Sequence, residues 1–182
     1  MGSEQSIEIY KREALVLKFL HHTADKLILS LIGRSFIILS DRDPKIKKEL
    51  SYLPEQFSIA VAVEKDGRYI VVQKKGDSVK YYGYQSRPKN IDLKLYFKDE
   101  EFAYQVLAAK EGIRQAFSEH KVVVEGDLEY AVSLIYILEI VEAYIMSDEF
   151  AERVLANGLK RKISRLHLII RSVFLFREKG EI

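Results

Sequence analysis

The sequence predicts an α+β fold: a five-stranded, mainly antiparallel sheet covered on one face by helices, with extra N-terminal and C-terminal helices. Three observations carry this. Period-two alternation runs from Phe57 to Phe97, broken by Asp66-Gly67 and Gly76-Asp77. The stretch from Asn90 to Tyr144 reads strand, acid-started helix, short helix, apolar strand, Glu125-Gly126-Asp127 turn and long apolar helix. Both ends of the chain carry apolar residues at helical spacing.

Ile7 to about Ser40 reads as helix. Tyr10, Ala14, Leu17, His21, Ala24, Ile28, Leu31 and Ser35 follow its spacing, and a break is expected near Gly33. Asp43-Pro44 is a cap followed by proline at the first helical position, starting a short helix to about Tyr52 that Pro54 ends. Phe57, Ile59, Val61 and Val63 form the first strand, and Ala60 and Ala62 allow its second face to be covered as well. Asp66-Gly67 is a two-residue hairpin signal before a strand at Tyr69 to Gln73, and Gly76-Asp77 is another before Ser78 to Tyr84. Ile91, Leu93, Leu95 and Phe97 alternate with Asp92, Lys94 and Tyr96, so four strands joined by short turns read as an antiparallel meander.

Asp99 caps the next helix, with Glu100 and Glu101 where the helix dipole favours negative charge. Gly112 breaks it before a short helix to Phe117, and Val122 to Val124 is the fifth strand. Asp127 caps Leu128 to Ile145, a helix apolar on nearly every side apart from Glu129, Ser133, Glu139 and Glu142. Ser147-Asp148 opens a further helix to about Ala156, closed by Asn157-Gly158. Leu159 to Phe176 fits both helix and strand, with helix favoured by Ile163, Leu166, Ile170 and Val173.

The chain has 182 residues, a length that favours one domain. It has no cysteine, which excludes disulfides, thiolate catalysis and cysteine-ligated metal sites. Met1 to Ile9 is polar and unlike a secretory signal, and the most apolar run, Leu27 to Leu39, is too short for a bilayer and contains Arg34. A cytoplasmic location is expected. Charge is uneven: Asp99 to Glu152 carries thirteen acids against Lys110, Arg114 and Lys121, whereas Gly158 to Ile182 carries seven bases against Glu178 and Glu181. The basic end either packs on the acidic middle or meets anionic lipid headgroups.

Several of these pieces together resemble the sterol carrier protein two family of lipid-binding domains. They are Ile91-Asp92-Leu93-Lys94-Leu95, the Asp99-Glu100-Glu101-Phe102 helix start, Ile113 to Phe117, Lys121-Val122-Val123-Val124-Glu125-Gly126-Asp127, and the helix beginning Leu128 to Leu134. The likeness covers roughly Phe57 to Tyr144. It departs from the family at His120, where a glycine is frequent, and in lacking tryptophan. The resemblance implies a sterol-carrier-like core over 55–147 of a single domain spanning 1–182, with an N-terminal helical extension over 1–54 and a C-terminal helical segment over 148–182. It also implies non-catalytic binding of a fatty acyl chain, sterol or isoprenoid lipid in an apolar space between sheet and helices. Phe102, Val106, Phe117, Leu128, Ala131, Leu134, Ile135 and Leu138 are the residues expected to line that space, with a filled core as the competing reading of each.

Residues for chemistry are scarce. His21 and His22 are adjacent and point apart on a helix, and His120 and His167 stand alone, so no metal is expected. No phosphate-cradling loop, nucleophile elbow or dinucleotide fingerprint occurs. Glu125 and Asp127 could serve as acid and base, but solvation and capping explain them. Tyr81, Tyr82 and Tyr84 lie among Lys74, Lys75, Lys80 and Arg87, yet Tyr81 and Tyr82 face opposite sides of a strand, which argues against nucleic acid. The expectation is therefore no enzyme and no cofactor. The expected partners are a lipid or fatty acyl ligand, a peripheral membrane contact through the basic C-terminal segment, and a homodimer contact. The alternative is an accessory or scaffold protein of lipid or quinone metabolism.

Overall fold

The computed structural model describes residues 27–155 and 158–174. The expected helix start at Ile7, together with Tyr10, Ala14, Leu17, His21, His22 and Ala24, lies outside the described residues, as do Ala156, Asn157 and everything after Phe174.

Residues 27–40 form helix α1, which runs through Gly33 without the expected break. Gly33 serves another purpose. A Cβ there would come within 3.0 Å of Tyr81 Cε2 and 3.1 Å of Ile70 Cδ1, so the missing side chain lets α1 lie close against the sheet. Helix α2 (Pro44–Ser51) starts at Asp43, whose Oδ1 accepts from Lys45 N at 2.8 Å. Ile46 and Leu50 of α2 are fully buried.

The sheet contains β1 (Ser58–Ala62), β2 (Arg68–Lys75), β3 (Ser78–Ser86), β4 (Leu93–Phe97) and β5 (Val122–Glu125), in the order β3-β2-β1-β4-β5. It is mainly antiparallel, but β1 and β4 pair in parallel, Ile59 opposite Leu93 and Val61 opposite Leu95. This corrects the four-stranded meander. The connection 87–92 returns the chain from the β3 edge to the start of β1, with Arg87 and Asn90 in left-handed conformations. Asp92 Oδ2 then accepts from Ser58 N at 2.8 Å and from Ser58 Oγ at 2.6 Å, which fixes the start of β4 beside β1. The β2–β3 loop is the expected two-residue turn, with Lys75 paired to Ser78 and Gly76 at φ +60°. The β1–β2 connection is wider than Asp66-Gly67 suggested: it spans 63–67 and closes through Gly67 N to Glu64 O at 3.1 Å. A register shift in β2–β3 leaves Tyr82 unpaired, so Tyr81 faces the main core, Tyr82 the opposite face, and Tyr84 the main core again.

Helices α3 (Glu100–Leu107) and α4 (Ile113–Ser118) bridge β4 to β5, and α5 (Leu128–Ile145) follows. Asp99 Oδ1 caps α3 through Phe102 N at 2.9 Å, and Asp127 Oδ1 caps α5 through Glu129 N at 2.9 Å. Both short helices close in the same way. Lys110 N reaches Gln105 O around Ala109 at φ +58°, and Lys121 N reaches Ala116 O around His120 at φ +59°. The frequent glycine of the resembling family thus has a physical reason at position 120. Ser147 Oγ caps α6 (Asp148–Val154), and residues 158–164 lead to α7 (Arg165–Phe174). Of the stretch from Leu159 that fitted both helix and strand, the described part is helical from Arg165 to Phe174.

The core lies between the helices and the face carrying Ile59, Val61, Ile70, Val72, Leu93 and Leu95. On the other face, Ala60, Ala62 and Val71 are fully buried among Tyr69, Tyr82 and Tyr96, with Ile91 of the 87–92 connection packed against them.

Candidate functional site

The layer between sheet and helices encloses an apolar void of about 20 Å³. Ile32 of α1, Val61 of β1, Leu95 and Phe97 of β4, Val106 of α3 and Leu138 of α5 bound it, and one carboxylate, Glu142, reaches its edge. That volume accommodates about one water molecule, whereas pockets for drug-sized ligands run to roughly 300–1,000 Å³. As described, this void is too small for such a ligand.

Of the eight residues expected to line a ligand space, Val106 and Leu138 border this void. Ala131 and Leu134 are fully buried one to two turns before Leu138 on α5, and Ile135 is almost so. Phe102 and Phe117 are half-buried against the core, with the Lys121 ammonium 5.6 Å from the Phe102 ring. Leu128, in the first turn of α5, is 62% exposed. Eight of the ten lining residues lie outside that set, among them Ile32, Val61, Leu95, Phe97 and Glu142. The strand members were detectable, because Leu95 and Phe97 share one face of an alternating strand.

Two buried carboxylates on α5 give the layer its electrostatics. Glu142 is 3% exposed, and its Oε2 accepts from Ile113 N at 3.1 Å. Burial pushes its pKa up to about 8; the Ile113 amide opposes this, and the charge of Glu139 adds to it. Glu139 is also raised by burial, countered by its ion pair with Arg114. The Arg114 guanidinium in turn sits 5.2 Å from the Tyr136 ring.

The carboxylates of the β5–α5 turn have partners that account for them. Glu125 accepts from Tyr96 OH at 3.0 Å and lies 3.6 Å from Lys65 Nζ and 3.7 Å from Lys94 Nζ. The Tyr96 hydroxyl, then the two lysines, hold its pKa below the ordinary glutamate range despite some desolvation. Asp127 caps α5. Between them Gly126 sits at φ +135°, and a Cβ there would meet Asp92 O at 2.5 Å, so the turn packs directly on the start of β4. No group of three or more potential metal ligands occurs among the described residues. Among them, no helix is long and apolar enough to cross a membrane.

No family model matches the sequence, and no curated protein matches it significantly. Solved structures similar to this one include sterol-carrier-type domains, the family that the sequence motifs resemble. A UbiJ-SCP2 ubiquinone synthesis protein matches at 16% identity and TM-score 0.41, over 63% of this chain and 88% of its own. Sterol carrier protein 2 from Yarrowia lipolytica, in its apo form, matches at 17% identity and TM-score 0.37, over 61% of this chain and 86% of its own. A conserved hypothetical protein from Thermus thermophilus, described as a sterol carrier candidate, matches at 12% identity and TM-score 0.42, over 63% of this chain and 86% of its own. Overlap this loose transfers no role.

Proposed function

We propose that the chain binds and carries a hydrophobic ligand (a fatty acyl chain, sterol or isoprenoid lipid) without catalysing its reaction. The ligand would occupy space opened between the sheet and helices α1, α3 and α5. The observation that supports this is the apolar void itself, bordered by six elements of the fold with one polar group, Glu142, at its edge. Each buried methylene contributes ~0.8 kcal/mol, so a dozen suffice for useful affinity even after the layer has opened. Of α1, α3 and α5, opening falls most easily to α3. It has only eight residues and contributes three buried side chains, Ala103, Val106 and Leu107, and elements with few buried contacts open at the lowest free energy.

The small size of the void among the described residues favours a second reading, in which the chain is an accessory protein of lipid or quinone metabolism that works through its helix surfaces. Native mass spectrometry of the purified protein, followed by organic extraction, separates the two. A stoichiometric co-purified lipid supports carriage and names its class. A clean apo mass that stays unchanged with added fatty acid or prenyl quinone leaves the accessory reading.

A further inference from the structure

Helix α7 has two apolar sides. Leu168 and Ser172 face inward, and Ser35 of α1 meets Ser172 at 2.9 Å between hydroxyls. Arg34 closes the end of the helix by donating from Nη1 to Ser172 O and Val173 O, each at 3.3 Å. On the outer side Leu166, Ile170, Val173 and Phe174 are 70%, 46%, 59% and 69% exposed. Their spacing, i, i+4, i+7 and i+8, places them in one stripe facing away from the protein. Such a stripe on a helix already docked by its other face has no role in the core.

The surrounding charge indicates what covers it. No acidic residue occurs from Leu159 to Phe174, whereas Lys160, Lys162, Arg165 and Arg171 are all exposed. A surface groove of about 600 Å³ lies beside Leu166, lined also by Lys162, Ser164, Arg165 and one acid, Asp148, which is paired with Arg161. A second copy of the same helix would bring these cations against their own kind. An anionic bilayer offers acyl chains to the stripe and phosphates to the rim.

We infer that α7 is a membrane-seating helix. Leu166, Ile170, Val173 and Phe174 enter the headgroup–acyl boundary of an anionic bilayer, and Lys160, Lys162, Arg165 and Arg171 contact the lipid phosphates. The seat would hold α1 behind α7, on the side away from the bilayer, because Ser35 meets Ser172 on the inward face of α7 and lies one turn from the void-lining Ile32. Its failure would leave the ligand reading intact, since no residue bordering the void belongs to α7.

The test is co-sedimentation of the full chain with vesicles of phosphatidylglycerol and phosphatidylcholine, or of phosphatidylcholine alone. Anionic vesicles should bind, neutral ones should bind far less, and added salt should weaken binding. Lys162→Glu should cost on the order of five-fold or more. Leu166→Glu with Ile170→Glu should cost on the order of ten-fold or more with unchanged circular dichroism. The chain lacks tryptophan, so Leu166→Trp provides a single reporter whose emission should shift to the blue on anionic vesicles, which keeps the proposal testable if the double variant misfolds. Absence of binding to anionic vesicles, an unshifted reporter, or a concentration-dependent dimer that Leu166→Glu dissolves would overturn it.

Discussion

The Tyr144 hydroxyl donates a 2.8 Å hydrogen bond to Asp43 Oδ2 and accepts one of 3.0 Å from the Lys162 amide. Asp43 uses its other oxygen to cap α2. One buried phenol therefore ties α5 to the start of α2 and to the segment entering α7. Burial holds its proton well above the usual tyrosine range, outweighing the opposing Lys162 amide, so it remains a donor to Asp43.

Tyr144→Phe removes both bonds while filling the same volume. It leaves a buried carboxylate oxygen and an amide without this partner, at a cost of about 2–4 kcal/mol. Urea denaturation should show a lower midpoint with an unchanged slope. An unchanged midpoint would mean that this junction contributes nothing to stability.

The carboxyl of Glu142 makes stability depend on pH in a particular direction. Its folded pKa, about 8, lies above the ordinary glutamate value of 4.5. Between those limits the unfolded chain has released this proton and the folded chain still holds it. Stability is therefore lost as pH rises from about 4.5 to 8 and levels off above. Glu142→Gln keeps an acceptor for Ile113 N and removes the titration. It should raise the thermal midpoint at pH 8 by the equivalent of several kcal/mol and have little effect near pH 4.5. Parallel pH profiles of the two proteins would contradict this.

Ala109 and His120 close α3 and α4 in the left-handed conformation, where glycine would be unstrained. Ala109→Gly and His120→Gly relieve the Cβ clash at the ends of α3 and α4, each by about 1 kcal/mol, partly offset by the entropy of the unfolded glycine. His120→Val adds a β-branched side chain there and should lower stability. The three midpoints, measured by thermal denaturation, should rank glycine at or above wild type and valine below it.

Gly126→Ala tests the contact between the β5–α5 turn and β4. Its Cβ would fall 2.5 Å from Asp92 O and 2.9 Å from Leu93 Cδ1 in a backbone conformation suited to glycine. A loss of about 3 kcal/mol or more is expected in chemical denaturation. Wild-type stability would show that the turn has room to shift.

The helix starts were legible because caps are local chemistry: Asp43, Asp99, Asp127 and Ser147 each bond an amide of the helix they begin. The bounds of α5, Leu128 to Ile145, could be read for the same reason. The parallel place of β4 was not legible, because Ser86 to Asn90 has the composition of any tight turn and the Asp92–Ser58 clamp joins residues 34 positions apart. Gly33 read as a helix breaker because its reason, the Tyr81 ring, lies on another element. Leu128 was grouped with the inner residues because α5 is apolar nearly all round, so no face of the helix is marked by its residues alone. The same property hid the importance of Glu142, whose environment is set by Val61 and Leu95 across the layer.

The central claim is that the sheet–helix layer opens to hold an apolar ligand, and a titration with a fluorescent fatty acid tests it most directly. The protein is compared with Val106→Trp, whose indole exceeds the void and takes up space the ligand needs, once circular dichroism shows both to be folded. Saturable one-to-one binding by the wild type that falls at least ten-fold in the variant is the predicted result. No binding by the wild type, or equal binding by both, would contradict the account and leave the helix surfaces as the working part of the molecule.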